Sequence, residues 1–576
     1  RLAFRLCFLV YKGEIYLKKR LLALTLCAAM LVSAVLTGCQ NGGTTESNNS
    51  VVSNTESSAS SSSDSSIPED GGFKTISYEA SKDKYRNYYE IFVYSFYDSD
   101  GDGTGDLNGV TQKLDYIQDM GFNGIWLMPI MPSDTYHKYD VKNYCEIDPK
   151  YGTIDDFKNL VGEAHKRGIN VVIDMVINHT SSSHKWFIDA CSYLRKLDKD
   201  KEPEVAECPY VEYYHFSREK VNDTYYRVSG TDWFYEGSFW SEMPDLNLAC
   251  EPLIEELYNT ADFWLDMGVD GFRMDAAMHF EENQPEFNEQ VLNGLYEHCR
   301  EKNPDFYMVS EVWAGFSTVR DYYASMTPSM FNFDAGNTEG KLIKTARGTL
   351  KAAALAGSMV RYQNEFSQIN PDYIDAPFLT NHDMGRVSNV LMNDENDIKM
   401  AGGLLMMMNG SPFVYYGEEI GMASKGSKDE NKRIAMLWSS DSTAAGMTKG
   451  PADADKDINS AFDAVDKQLK DENSILNYYK RALRLRNENP EIARGEITLI
   501  DSLCQGYQAA ITKSYNGSTI GIVYNTSDEV ITVDISGTEI SDMQIRGYLT
   551  LNNEEIKLKD GMLTMPAQSI CILKQR

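Results

Sequence analysis

Positive charge is what this chain has least of. Lysine and arginine number 55 against 85 aspartates and glutamates, which leaves 576 residues with a formal charge of −30 and a pI near 4.7. A nucleic-acid partner needs a basic footprint for its phosphates, so the deficit argues against one. The excess of acid implies a well-solvated surface and carries no information about fold. Cysteine is equally uninformative as a scaffold. Seven cysteines follow Cys39, an odd number at scattered spacings and without a CxxC pair. That excludes a disulfide framework and a cysteine-based metal centre. Cys191 and Cys208 are one conceivable pair, and buried free thiols are expected for most. Internal repeats and a glycine-rich nucleotide loop are both missing. The apolar run ending at Leu36 falls short of the ~20 residues that a membrane-spanning helix needs.

What is present starts near the N-terminus. In "LKKRLLALTLCAAMLVSAVLTGC" (17–39) the cations Lys18, Lys19 and Arg20 precede that short apolar run, the arrangement of an export signal. Its end, Leu36-Thr37-Gly38-Cys39, resembles a bacterial lipobox, in which the cysteine becomes the lipidated first residue of the mature protein. The expectation is a signal over 1–39, lipid attachment at Cys39, and an exported protein anchored on the extracellular face of the bacterial cell membrane. Residues 40–74 are rich in Ser, Asn and Thr and have almost nothing to bury. They read as a disordered tether with a reach on the order of 30 Å.

From about residue 75 the pattern changes. Short apolar runs, "EIFVYSF" (90–96), "GIWLMP" (124–129), "NVVIDMV" (170–176), "VDGFRM" (269–274), "FYMVSE" (306–311), "MFNFD" (330–334), "APFLT" (376–380) and "SPFVYY" (411–416), alternate with amphipathic helical segments. Eight such units predict an α/β fold, a parallel (β/α)8 barrel. About ninety residues separate the third run from the fourth, so the barrel is expected in two parts, 75–177 and 248–494, around an inserted domain B at 178–247. Beyond it, 495–576 alternates apolar and polar residues between Asn-Gly-type turns, which predicts a C-terminal antiparallel β-sandwich domain.

Parallel barrels collect their reactive groups at the C-terminal ends of the strands. Here the third run ends in Asp174, Asn178 and His179, the fourth in Arg273 and Asp275, the fifth in Glu311 and the seventh in His382 and Asp383. The loop after the second holds His137, Tyr139 and Asp140. Any one of these alone is an ordinary strand cap. Together on one rim they would repel and desolvate one another unless the rim is a site. Carboxylates without a Cys/His cluster or a Ser/His pair point to acetal chemistry, in which one carboxylic acid protonates a leaving oxygen and one carboxylate traps the cationic centre. Arg273, on the same strand face as Asp275, favours the charged form of its neighbour. The 35 tyrosines add flat rings suited to sugars, although ordinary packing accounts for most of them.

These motifs, "DMVINH", "GFRMDAAMH", "EVW" and "FLTNHD", resemble in order and spacing the central conserved regions of the α-amylase family, the retaining glycoside hydrolases of family 13. The resemblance runs from about residue 75 to the end and implies the same barrel, domain B and C-terminal β domain. It implies Asp275 as nucleophile, Glu311 as general acid/base and Asp383 as the third essential carboxylate. His179, Arg273 and His382 would line the sugar subsite, with His137 nearby, Tyr139 stacking on the ring and Asp140 beside it. "MPDLN" (243–247) is intermediate between oligo-1,6-glucosidase and neopullulanase versions of its region, and Ala276 is similar to enzymes acting on α-1,4 bonds. The expected activity is that of an α-amylase on starch and maltooligosaccharides. Neopullulanase, α-glucosidase and transglycosylase actions are the alternatives, and a non-catalytic starch-binding lipoprotein is the reading from another class. A monomer is expected.

"DSDGDGTGD" (98–106) spaces Asp98, Asp100, Asp102 and Asp106 so that their oxygens can ring a hard cation. It departs from a helical EF-hand loop, since Gly109 stands where the bidentate glutamate belongs. Several family members bind Ca²⁺ in this first βα loop, which by resemblance adds the carbonyl of Thr104 to a structural calcium site.

Overall fold

Eight positions close one ring of parallel chain. In the computed structural model, which describes residues 83–455, 459 and 461–576, the strand Tyr88–Ile91 pairs with Gly124–Leu127. That strand pairs in turn with Asn170–Met175, and the ladder continues through Gly271–Met274, Tyr307–Ser310 and Ser329–Met330. The last strand, Phe413–Tyr415, returns to pair with Tyr88–Glu90. The seventh position is not a full strand. It touches its neighbours only through the bridges Phe331–Ala376 and Phe378–Phe413, and Pro377 between them has no N–H to give a ladder. The first strand lies earlier than its apolar run implied: Val93–Phe96 is a helical turn, and the strand is Tyr88–Ile91. The predicted signal 1–39 with Cys39, and the tether 40–74, lie outside the described residues.

Alternation along each strand sends one set of side chains inward. Tyr88, Trp126, Val172, Tyr307, Val309, Phe331, Phe378 and Phe413 fill the interior. Tyr88 stacks on Phe413 at 4.6 Å and on Tyr307 at 5.2 Å. Gly124 is required beside it, since any Cβ there would run into the Tyr88 ring. Above this apolar plug the inward positions turn polar at Glu90, Asp174 and Arg273, all buried. Helices such as Ile154–Lys166, Glu251–Leu265 and Ile475–Glu488 cover the outside. The first of these starts at a capping box between Thr153 and Asp156.

Between Met175 and Gly271 the chain leaves the barrel for a helix, Lys185–Leu194, and a small antiparallel sheet of Phe216–Ser217, Tyr225–Arg227 and Phe234–Glu236. Past Glu496 a five-stranded and a three-stranded antiparallel sheet enclose an apolar core that includes Val523, Ile535, Leu563 and Leu573. The architecture is thus a (β/α)8 barrel with an insertion and a C-terminal β-sandwich. The seven described cysteines are free, Cys191 and Cys208 included. Among the described residues no helix is long and apolar enough to cross a membrane.

Candidate active site

Residues 271, 273 and 275 share the inward face of the fourth strand, and each has a structural demand placed on it. Gly271 lets the Tyr307 carbonyl approach where a Cβ would collide. Arg273, wholly buried, sends Nη1 to Asp275 Oδ1 at 2.6 Å and to Asp174 Oδ1 at 2.7 Å, while Nη2 meets Glu311 Oε2 at 2.8 Å. One guanidinium carries a single charge against three carboxylates, which favours a proton held among them. Glu311 holds it. Burial raises its pKa against the opposing pull of Arg273, and the charges of Asp275 and Asp383 add to the rise. Its Oε2 also accepts the Ala276 N–H at 3.1 Å. Ala276 adopts a left-handed conformation, φ 48°, which is strained for a residue with a Cβ and aims that N–H at Glu311. With Oε2 occupied by two donors, Oε1 is the oxygen left to carry a proton.

The seventh segment delivers His382 and Asp383. His382 is pinned between carboxylates, with Nδ1 2.5 Å from Glu90 Oε1 and Nε2 3.0 Å from Asp383 Oδ2. Burial works against its charge, but Asp383 and Glu90 outweigh burial and raise its pKa to about 9. As an imidazolium it donates from both nitrogens. Nε2 also lies 2.6 Å from the Tyr139 hydroxyl, whose own O–H donates to Asp174 Oδ2 at 3.2 Å. Burial likewise opposes the charge of Asp383, yet His382 and Arg433 more than reverse that and hold its carboxyl well below the usual carboxylate range. Arg433 Nη2 lies 2.6 Å from Asp383 Oδ1.

A cavity of about 570 Å³ opens over this network, within the range of small-molecule sites. Asp275, Glu311 and Asp383 all reach its wall, as do His137, Tyr139 and His179. The Tyr139 ring lies parallel to His382 at 5.5 Å, held there by its hydroxyl bonds, and offers a flat floor. His179 is buried and neutral, since burial lowers its pKa, and its Nε2 has no protein partner. His137 is lowered to about 4, by burial first and then by Arg433, so it too is neutral. Three residues expected to bind substrate stand behind the wall instead. Arg273 and His382 have no exposed surface, and they orient the carboxylates. Asp140 is 1 % exposed, and its carboxylate is spent inside its own loop on the hydroxyls of Ser133 and Thr135 and the Asp134 N–H.

Comparison with known proteins agrees with this geometry. The "Alpha amylase, catalytic domain" model matches residues 90–495. The chain belongs to the α-amylase family. Alpha-amylase 3 of Dictyoglomus thermophilum is 36% identical over 483 residues, covering 83% of this chain and 88% of that protein. A glucan 1,6-alpha-glucosidase of Streptococcus pneumoniae is 28% identical over 550 residues, covering 84% and 97% respectively. Among solved structures, Eubacterium rectale Amy13B superposes with a TM-score of 0.83 at 43% identity, over 88% of this chain and 97% of that one. The protein is therefore a family 13 glycoside hydrolase.

Several site residues of this family member escaped the sequence reading. Glu90 and Trp126 carried a readable signal, since both occupy inward positions of strands. Trp126 donates its indole N–H to Asp174 at 3.2 Å. Phe239 and Trp313 line the cavity mouth while remaining 49% and 45% exposed. Asp429 and Arg433 also line it, from the long loop after the last strand, where no periodicity exists to read.

In the first βα loop the carboxylate oxygens of Asp98, Asp100 and Asp106 lie within 4.8 Å of one another. Asp98 and Asp106 are buried and Asp100 is exposed. Asp102 does not join them; its Oδ1 accepts the Thr104 N–H at 2.6 Å. Gly101 and Gly103, at φ 87° and 98°, give the loop the left-handed turns that curl it. An all-oxygen set of three carboxylates fits a hard divalent cation.

Proposed function

We propose that the protein is a retaining α-amylase that cleaves internal α-1,4-glucosidic bonds of starch and maltooligosaccharides by double displacement. The observation that carries this reading is the sharing of one guanidinium by the nucleophile and the acid. Arg273 fixes Asp275 Oδ1, which leaves Oδ2 to attack the anomeric carbon. Glu311, protonated on Oε1, gives its proton to the departing glycosidic oxygen as the C–O bond breaks and a glycosyl ester forms on Asp275. The leaving chain departs, a water enters, and the now ionised Glu311 takes its proton as the ester opens. Asp383 binds hydroxyls of the reacting sugar, His179 Nε2 supplies a further contact, and Tyr139 underlies the ring. Double displacement calls for two carboxyls ~5–5.5 Å apart, closer than the ~6.5–9.5 Å that leaves room for an attacking water, and a shared guanidinium suits such close placement.

Cleavage within a chain is supported by the cavity mouth, where Phe239 and Trp313 present exposed aromatic faces to further sugar units. The similarity to an alpha-amylase at 36% identity points the same way, and that to a glucan 1,6-alpha-glucosidase keeps exo-action and α-1,6 cleavage as testable alternatives. Asp98, Asp100 and Asp106 would hold Ca²⁺, with the Thr104 carbonyl as a candidate further ligand, and the ion would offset the negative charge of the loop and fix it against the barrel. The protein works as a monomer at the cell surface, tethered through Cys39. Product analysis on starch, pullulan and short maltooligosaccharides tests the activity. Mixed maltooligosaccharides from starch support it; glucose released alone, or cleavage confined to α-1,6 bonds, refutes it.

A further inference from the structure

Asp383 is the least enclosed of the three carboxylates, with 32% of its side chain exposed on the cavity wall. A short acidic side chain so placed can rotate toward water unless something outside its own segment holds it. Its own segment supplies His382 Nε2 at Oδ2 and the Asn381 side chain at its backbone N–H, 3.0 Å away. The remaining two contacts come from elsewhere. Arg433 Nη2 meets Oδ1 at 2.6 Å, and Lys432 Nζ meets the Asp383 backbone carbonyl at 2.8 Å. Adjacent cations on one loop therefore grip both the side chain and the main chain of the same residue.

Arg433 is itself fixed. Its Nη1 bonds Asp429 and, at 3.1 Å, the Tyr136 hydroxyl, and its carbonyl accepts the Ser95 hydroxyl at 2.6 Å. Only 3% of the residue is exposed. Each terminal nitrogen bonds a protein acceptor, and although Arg433 reaches the cavity wall, its bond to Asp383 is the contact through which it holds the third carboxylate.

We infer that Lys432 and Arg433 are positioning residues that clamp Asp383 in its working orientation, so that the loop after the last barrel strand completes the catalytic centre. This deepens the proposed function and rests on it, since Asp383 must grip the reacting sugar. The grip matters most as the sugar flattens toward the transition state, so loss of the clamp falls on kcat more than on KM.

The test is steady-state kinetics on maltooligosaccharides, with melting temperatures recorded in parallel. Arg433→Met is expected to lower kcat by about 30-fold or more while KM stays within about threefold. Arg433→Lys, which restores one charge without the fork, is expected to recover part of that loss. Lys432→Met should show a smaller fall in kcat, and these two variants carry the test if Arg433→Met does not fold. Lys428→Met is the control, because Lys428 lies on the same loop but bonds outward to Asp453 and Asp455. A kcat within about twofold of wild type in the Arg433 and Lys432 variants overturns the clamp. So does an equal loss in the control, which would mean that general loop integrity is at stake. A wild-type protein inert toward α-glucans would instead refute the hydrolase reading, before any variant is made.

Discussion

Arg273 Nη1 lies 2.6 Å from Asp275 Oδ1, across the shortest sequence interval that puts two side chains on one face of a strand. The other end of the same guanidinium holds Glu311, so Asp275 and Glu311 are registered to each other through one rigid group. Breaking a buried pair by removing one partner leaves uncompensated charge and costs about 3–5 kcal/mol. Arg273→Met is expected to lower the melting temperature and to reduce kcat/KM on the order of 10²-fold. Kinetics and thermal denaturation check both; an active, fully stable variant would contradict the role given to Arg273.

Asp275→Asn and Glu311→Gln should each abolish most hydrolysis, the latter by about 10²–10⁴-fold, the usual range for a positioned general acid. Both should still bind a maltooligosaccharide, because the floor and the hydroxyl-binding groups are untouched. Calorimetric titration of the two variants is the check.

The pH dependence of kcat/KM should carry an alkaline limb from Glu311. Its pKa is raised by burial, so the protonated form survives to higher pH than an ordinary glutamate, and activity falls as pH rises through that value. Glu311→Gln should remove this limb from the residual activity.

His382 makes a separate prediction about stability. Its pKa is about 9 in the fold against 6.5 for an ordinary histidine, so its contribution is fully present below about 6.5 and is lost as pH rises toward 9. The difference is on the order of 3 kcal/mol. Melting temperatures of wild type and His382→Gln should converge across that window; parallel curves would contradict an imidazolium bound to Glu90 and Asp383.

Chelation with EDTA should lower the melting temperature by mass action if Ca²⁺ occupies the first βα loop. Asp98→Asn should lower the starting value and flatten the response.

Much of this site could be read in the sequence because strands impose a period of two. Once Arg273 and Asp275 fell on one face, and Asp174, Glu311 and Asp383 lay near the ends of the third, fifth and seventh barrel positions, convergence followed from the barrel. The misses have equally local causes. Pro377 cannot join a ladder, so the seventh strand shrinks to two bridges. The helical turn Val93–Phe96 hid in an apolar run that propensity reads as strand. Asp140 looked like a partner of Tyr139, but its neighbours Ser133 and Thr135, which curl back in a loop, claim its carboxylate. Arg433 sits in an irregular loop whose path only the folded chain defines.

The most direct measurement is the anomeric form of the first product, followed by NMR as an α-1,4-linked maltooligosaccharide is cleaved. Two carboxyls held by one guanidinium predict the α-anomer at the outset, equilibrating later by mutarotation. Initial release of the β-anomer would mean a single inversion by water, and would contradict the role assigned to Asp275.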